Sequence, residues 1–510
     1  MSSRIVDTPD PVKVGHTGLV ILDGIGLGVA DVVRLADGSA RPVPGTEATK
    51  RVTESWDAAR QIAATGRVYG RSTGVGANRN EDVPTEAAAE HGLRLLRSHA
   101  GAIGEELPAR QVRAMLAVRA NQLLAGGAGL RPTVVTALCE ALESGAYPVV
   151  NEFGSVGTGD IAALAQAGLA LAGEHPWRGA DGAVAGAPEP QLLDNNDALA
   201  FISSNALTLG QAALALHELR GLIEATQVVG ALSLLAVDGS HEAYAAPVHA
   251  ARPHRGSVEV ARRMRELIGA EDRPTPPLGR IQDPYGFRCL PQIHGPAQDA
   301  ADTLEEVLAI EINAAAENPL ISPQDMAAYH HGGFYQAQLA LALDHFRLAL
   351  TQVARLSTSR LSTLNEPAFT RLRPFLADQE PASSGVMILE YAAGAALGDL
   401  RAFSAPASLG HAVLSRGVEE QASFASLAAR QTLRACGAYR LVVGCELVAA
   451  VRALRQRDLR PDPDLPVGRA LELAEAVLEE ETADRPLTGD VAAAAALLDR
   501  FTDIWRGSEA

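Results

Sequence analysis

A mainly α fold is what the sequence predicts, on three observations. Hydrophobic residues fill 47% of the 510 positions but aromatics only 4%, and Ala and Leu run together where β-branched alternation is rare. Unbranched side chains lose little rotamer freedom in a helix. Apolar positions keep a helical period over long stretches, 298–315 and 336–364 above all. Start and stop signals bracket others: Asp194-Asn-Asn-Asp197 stands ahead of an apolar run and Gly66 closes one.

In chain order, residues 1–18 read as a loosely attached terminus. Val20 opens a brief strand or turn that becomes an amphipathic helix, with Val29, Val33 and Ala36 spaced by four and then three. Residues 54–65 form the next helix. Residues 69–80, with Gly70, Gly74 and Gly76 among polar neighbours, read as an irregular loop headed by Tyr69. Two or three helices fill 86–126, and His99 lies on a Leu-rich one, where a hydrogen-bonded core or rim histidine is the plain reading. Residues 176–190, rich in Gly, Pro and Ala, form a surface excursion. The helix after Asp197 carries Ser203, Ser204 and Asn205 in an apolar run. Buried polar groups need partners, so the trio joins a packing network or faces a pocket.

Residues 280–295 read as non-helical and place Gln282, Asp283, Tyr285 and Arg288 within seven residues. The Arg288 guanidinium is a natural fork for a substrate carboxylate. Glu317-Asn-Pro-Leu320 and His330-His331-Gly-Gly-Phe-Tyr335 separate the two longest helices. The adjacent histidines lack a third ligand at helical spacing, so no metal is expected. Helices over 385–400, 412–452 and 467–506 complete the chain, with Glu419 and Glu420 either a solvated helix start or a carboxylate delivered to a site. The expected division is a flexible 1–18, an N-terminal helical region 19–200 and a long-helix bundle over 201–510.

A net charge of −17, from 44 basic and 61 acidic residues, argues against nucleic acid or an anionic membrane as partner. Cys139, Cys289, Cys436 and Cys445 lack metal or redox spacing and read as buried thiols. No basic segment precedes an apolar core at the N-terminus, and no uncharged apolar run reaches the length of a bilayer span, so a cytoplasmic protein is expected. The only lysines are Lys13 and Lys50, neither in a glycine-rich context. An amino acid enzyme built this way dispenses with pyridoxal phosphate, whose Schiff base needs a lysine.

The chain is organised around Tyr147-Pro-Val-Val-Asn-Glu-Phe-Gly-Ser-Val-Gly-Thr-Gly-Asp-Ile-Ala-Ala-Leu164. Gly154, Gly157 and Gly159 let the backbone bend, and the helix after them aims free N–H groups and a positive dipole end at the turn. A phosphate loop has the same outline. However, no Lys-Ser/Thr pair follows, Asp160 is negative, and no ribose-binding acidic residue sits at a fitting offset, so no nucleotide is expected.

Together these segments resemble the histidine and aromatic amino acid ammonia-lyase family over roughly residues 20–500. Six motifs appear in the family's order: the Tyr69-Gly…Thr73-Gly-Val-Gly76 loop, Ser98-His-Ala100, Gly154-Ser-Val-Gly157, Gln282-Asp-Pro-Tyr285…Arg288…Pro291-Gln292, Glu317-Asn-Pro-Leu320, and Gly332-Gly333. The resemblance implies a long central helical bundle of the ammonia-lyase/fumarase-like type with a small N-terminal loop-rich region. It also implies a homotetramer with active sites shared between subunits, and a built-in methylidene-imidazolone electrophile made from an Ala-Ser-Gly triad. By position, Tyr69 is the base for the β-proton, Gln282 and Tyr285 line the amine region, Arg288 binds the carboxylate, His99 contacts the side chain, and Glu419 is the carboxylate near amine or ring.

Three positions depart from the family pattern. The triad aligns with Gly157-Thr158-Gly159, one residue short, and dehydrated threonine would leave an ethylidene group. The family's Asn-Gly-Thr is Ser203-Ser204-Asn205, its asparagine missing or displaced by two, and its Gly-Gly-Asn-Phe is Gly332-Gly333-Phe334-Tyr335. Ser203, Asn205 and Tyr335 therefore reshape the substrate pocket. The expected function is elimination of ammonia from histidine or an aromatic L-amino acid, or the related 2,3-aminomutase reaction. The alternatives are a member without the electrophile that eliminates, adds or cyclises in the same pocket, and an inactive homologue.

Overall fold

The computed structural model describes residues 18–179, 186–274 and 280–506. The expected loose terminus therefore lies almost wholly outside the described residues, as do 180–185 of the expected surface excursion. The first elements are β1 Gly18–Leu22, α1 Val29–Ala36, β2 Ala40–Pro44, α2 Thr46–Thr65, α3 Ala88–His99, β3 Ile103–Glu106, α4 Ala109–Leu124 and α5 Pro132–Ser144. Next come β4 Tyr147–Pro148, β5 Asn151–Phe153, α6 Ile161–Leu171, β6 Trp177–Arg178, α7 Ala198–Ile202 and α8 Ala206–Ala236. The rest are α9 Ala246–Ala250, α10 Arg255–Ile268, α11 Tyr285–Arg288, α12 Leu290–Glu311, β7 Leu320–Ser322, β8 Ala327–Tyr329, α13 Ala337–Leu364, α14 Pro367–Thr370, α15 Ile388–Phe403, α16 Ala425–Gln456, α17 Pro466–Glu475 and α18 Thr488–Arg506.

The predicted mainly α class holds. Among the described residues the strands make four two-stranded sheets, β1 with β2, β3 with β5, β4 with β6 and β7 with β8. Residues 198–236 are apolar and long enough to cross a bilayer, and 94% of their most apolar window is buried inside the fold.

Several boundaries differ from the sequence reading, each for a local reason. The apolar run after Asp197 is two helices broken at Ser203–Asn205, where the polar trio turns to other partners. Residues 290–295 are helical, because Pro291 sits in the first turn, where no intrahelical donor is needed. The helix expected from 412 begins at Ala425, since Ser415, Arg416 and Gly417 all take positive φ. The stretch 467–506 divides into α17 and α18. Cys139, Cys436 and Cys445 are buried as expected, whereas Cys289 is only half-buried at the end of α11.

The chain forms two compact units of discontinuous sequence. The first comprises 1–217, 305–343 and 406–430, the second 218–304, 344–405 and 431–510. In the first, α4 is buried along nearly its whole length, Arg113 and Arg119 included. Arg113 donates to the carbonyls of Leu35 and Ala36 at the end of α1 (2.8 Å each) and of Leu142 near the end of α5 (3.0 Å). A guanidinium there meets the negative ends of two helices. Arg119, fully buried, reaches the carbonyls of Ala200 and Phe201 in α7 and pairs with Glu317 at 2.9 Å. That pair fixes the break after α7. In the second unit Arg360 forks onto Glu446 (2.6 and 2.8 Å), whose oxygens also accept from Ser233 and Ser357, so the buried charges are paired and hydrogen-bonded.

Candidate active site

The first unit builds its site from the glycine turn outward. Strand β5 hands the chain into residues 154–160, where Gly157 (φ +89°) and Gly159 (φ +105°) adopt backbone that favours glycine. Ser155 Oγ accepts from Gly157 N (3.1 Å) and donates to Gly159 O (2.9 Å), closing the turn on itself. Asp160 N donates to Ser204 O at 2.7 Å, and the Asp160 carboxylate accepts from Thr208 N and Oγ1 (2.7 and 2.9 Å). The charge expected to burden the start of α6 thus caps α8, and burial pushes its pKa up.

Two polar side chains from distant sequence hold the turn. Ser423 Oγ donates to the Gly157 carbonyl at 2.8 Å, and Asn205 Oδ1 accepts from Gly159 N at 3.2 Å while its Nδ2 donates to Phe334 O at 2.9 Å. The asparagine that looked displaced does reach the turn. Thr158, half-buried between them, gives a long 3.5 Å hydrogen bond to Glu419 Oε2.

Tyr69, also half-buried, accepts the Gly76 amide on its hydroxyl at 2.8 Å. Burial pushes its pKa up, the Gly76 N–H opposes this, the charge of Glu419 raises it further and that of Arg79 lowers it. His330 meets the Tyr69 ring edge-on, centroids 6.3 Å apart. The structure therefore brings Tyr69, Thr158, Gly157, Gly159, Asn205 and Glu419 into one region.

The other predicted residues fall as follows. His99 ends α3 with Nδ1 2.8 Å from Leu95 O, so Nδ1 carries the proton and Nε2 is left as an acceptor when the ring is neutral. Strand β3, four residues on, pairs with β5, and Ala102 packs against Gly154 of the turn. Ser203 Oγ is committed to accepting Asn318 N at 3.0 Å and holds the Glu317-Asn-Pro-Leu320 loop. Tyr335 is exposed. His331 uses both ring nitrogens, Nε2 donating to Glu317 O (2.7 Å) and Nδ1 accepting Gly333 N (2.9 Å), which makes it a clamp on the Gly332-Gly333 turn.

Gln282, Tyr285 and Arg288 belong to the second unit. Arg288 Nε donates to Asp283 O at 2.8 Å, and its guanidinium lies 4.7 Å over the Tyr285 ring. Asp283 anchors the segment through Arg280 (3.1 and 2.9 Å) and the Ser240 amide, while buried Tyr244 donates to Phe287 O at 3.0 Å. Asp283 and Ser423 went unassigned in the sequence. A serine two residues ahead of a helix is a cap signal, and Ala425 N does donate to Ser423 Oγ at 3.3 Å. That signal could have marked Ser423 as ordered, though not its reach to Gly157.

A large helical chain in which a tyrosine loop, a hydroxyl-bearing glycine turn and a carboxylate converge has the outline of an amino acid lyase. The profile of the aromatic amino acid lyase family matches residues 27–480. Over 450 residues the chain is 35% identical to histidine ammonia-lyase of Geobacillus kaustophilus, spanning 86% of this chain and 89% of that protein. Its fold superposes with TM-score 0.88 on histidine ammonia-lyase from Trypanosoma cruzi, 27% identical, covering 97% of this chain and 95% of that one. The same score relates it to the ergothioneine degrading enzyme from Treponema denticola, 26% identical, covering 95% and 99%. The chain belongs to the aromatic amino acid lyase family and is a carbon–nitrogen lyase.

Proposed function

We propose that the chain eliminates ammonia from an L-amino acid, histidine or an aromatic one, and releases the α,β-unsaturated acid. The hydrogen bonding of the triad turn carries this reading. Cyclisation of the triad joins the Gly159 nitrogen to the Gly157 carbonyl carbon. Ser423 donates to that carbonyl and polarises it, and Asn205 accepts from that nitrogen and draws its proton. Thr158 supplies the second water lost, so these residues fit a methylidene-imidazolone-type group carrying an ethylidene substituent. Once formed, that group supplies an electrophile for the substrate amine.

The remaining steps fall to side chains of this chain. Tyr69, ionised, takes the β-proton, with the Gly76 amide hydrogen-bonded to its oxygen. Glu419 stands beside Thr158 where an ammonium or ring N–H is held. Arg288 pairs with the carboxylate, Gln282 and Tyr285 line the amine side, and His99 offers Nε2 to the side chain. The assembly is a homotetramer with shared sites. Supporting this, Ile281 is 95% and Tyr285 68% exposed on their own chain, as suits a motif delivered to a neighbouring subunit.

A second reading, elimination of a better leaving group without the electrophile, has one observation in its favour. Gly157 is wedged so tightly that the family's alanine has no room. Intact mass with a peptide map over 140–172 decides between the readings, together with assay of ammonia and unsaturated acid from L-histidine, L-phenylalanine and L-tyrosine. A deficit of two waters at 157–159 and turnover that Thr158→Ala abolishes support the first. An unmodified mass, with activity spared in Thr158→Ala, replaces it by the second.

A further inference from the structure

The Tyr69 loop and the segment 411–424 are joined at one side chain that neither the motifs nor the proposed reaction assigns. Ser415 Oγ accepts the Ala77 amide at 3.1 Å, and a Cβ built on Gly76 would stand 2.6 Å from that same oxygen. The neighbouring amide, Gly76 N, donates to the Tyr69 hydroxyl at 2.8 Å. Consecutive N–H groups of one short turn thus serve the phenol and Ser415. On the far side, Leu414 and Glu419 exchange backbone hydrogen bonds (2.8 and 3.3 Å), and the Glu419 carboxylate reaches Thr158.

The backbone that presents Ser415 is bent in a costly way. Ser415 (φ +50°), Arg416 (φ +56°) and Gly417 (φ +84°) are left-handed in succession, and only the last is glycine. Non-glycine residues keep such angles only where their surroundings impose them. Here the bend closes the Leu414–Glu419 bridge and turns Ser415 toward the Tyr69 loop.

We infer that Ser415 is a positioning residue that fixes where the Tyr69 hydroxyl stands relative to Thr158 and Glu419. This rests on Tyr69 being the base. The charged and titratable groups facing Tyr69 are Glu419, Arg79 and, at its ring edge, His330; Ser415 adds no charge and acts through the amides of residues 76 and 77. Losing its Oγ frees that turn, loosens the Gly76 hydrogen bond that favours the phenolate, and leaves the other groups in place.

The test compares Ser415→Ala, Ser415→Gly and Ser415→Asn with Tyr69→Phe in the full chain, using L-histidine, L-phenylalanine and L-tyrosine as probes. The Tyr69 phenol is also titrated directly by NMR of Cζ-labelled tyrosine, assigned against Tyr69→Phe. We expect Ser415→Ala to lower kcat by about 10- to 100-fold with KM within about twofold, and to move the Tyr69 titration up by about one pH unit. Glycine relieves the strained φ but also lacks the acceptor, so it should match alanine. Asparagine tolerates the left-handed backbone and offers an acceptor, so it should restore part of both. An unchanged kcat and titration in Ser415→Ala and Ser415→Gly, with Tyr69→Phe inactive, overturns the positioning role alone. Full turnover by Tyr69→Phe overturns the base assignment and the positioning role with it. Equal titrations of wild type and Ser415→Ala overturn the role even if none of the probes is turned over.

Discussion

Gly157→Ala would restore the alanine that the family carries at the head of its triad, yet here it should destabilise the fold. A Cβ on Gly157 would lie 2.3 Å from Ser423 Oγ, 2.7 Å from Phe424 N and 2.9 Å from Ala425 N. Two of these three neighbours are backbone and cannot rotate away. The residue also sits at φ +89°, where a side chain costs about 1–2 kcal/mol, and forced overpacking adds about 1–3 kcal/mol. The sum, about 2–5 kcal/mol, is a large part of the stability of an ordinary domain. Gly159→Ala is the internal control. At φ +105° it shares the backbone penalty, but its nearest neighbour is Ile161 Cγ1 at 3.3 Å, so only about 1–2 kcal/mol is expected. Gly394→Ala, inside α15 with nothing within 4 Å of its added methyl, should stabilise by about 0.5–1 kcal/mol. Thermal or urea unfolding of the three variants at one protein concentration gives the order. A Gly157→Ala protein within about 1 kcal/mol of wild type would refute the packing argument and reopen the alanine-containing triad for this loop.

Breaking the buried Arg119–Glu317 pair from the arginine side, by Arg119→Met, should cost about 3–5 kcal/mol, because it strands a carboxylate whose pKa burial already raises. A carboxyl raised in the folded state holds its proton better folded than unfolded, so the Arg119→Met deficit should narrow as pH falls toward the acid side; unfolding at two pH values checks the sign. Glu419→Gln removes a charge that raises the Tyr69 pKa and Arg79→Gln removes one that lowers it, so the phenol titration should move down in the first and up in the second. Shifts of the same sign in both would dismiss the electrostatic account of Tyr69. Arg288→Lys keeps the charge but loses the fork, and should raise KM for the amino acid by about tenfold or more with a smaller change in kcat.

Helix content was legible because it is local, and so were three of the side chains that converge in the first unit. Periodicity marked the long helices, and Tyr69, Thr158 and Glu419 sit in motifs readable without the fold. What the sequence hid is long-range. Ser423 holds the Gly157 carbonyl from 266 positions away, and nothing near either residue announces the pairing. The start of α16 lies further on than the sequence suggests because only one glycine, Gly417, marks the left-handed bend at 415–417, where Ser415 and Arg416 share the conformation. Asn205 looked displaced when counted along the chain, but the break between α7 and α8 delivers its amide to the turn.

The unit that bears Tyr69 and Thr158 is stitched from 1–217, 305–343 and 406–430, with two long stretches of the second unit intervening. During synthesis the N-terminal stretch emerges with its glycine turn and tyrosine loop but without Ser423 and Glu419. Those contacts close loops of more than two hundred residues, and each must wait for the ribosome to pass residue 430. Nascent chains halted earlier should therefore hold the turn loosely and be sensitive to protease around 150–160, and any backbone cyclisation that depends on the Ser423 hydroxyl must follow the synthesis of that segment. The order of the segments thus sets when the glycine turn can first be held.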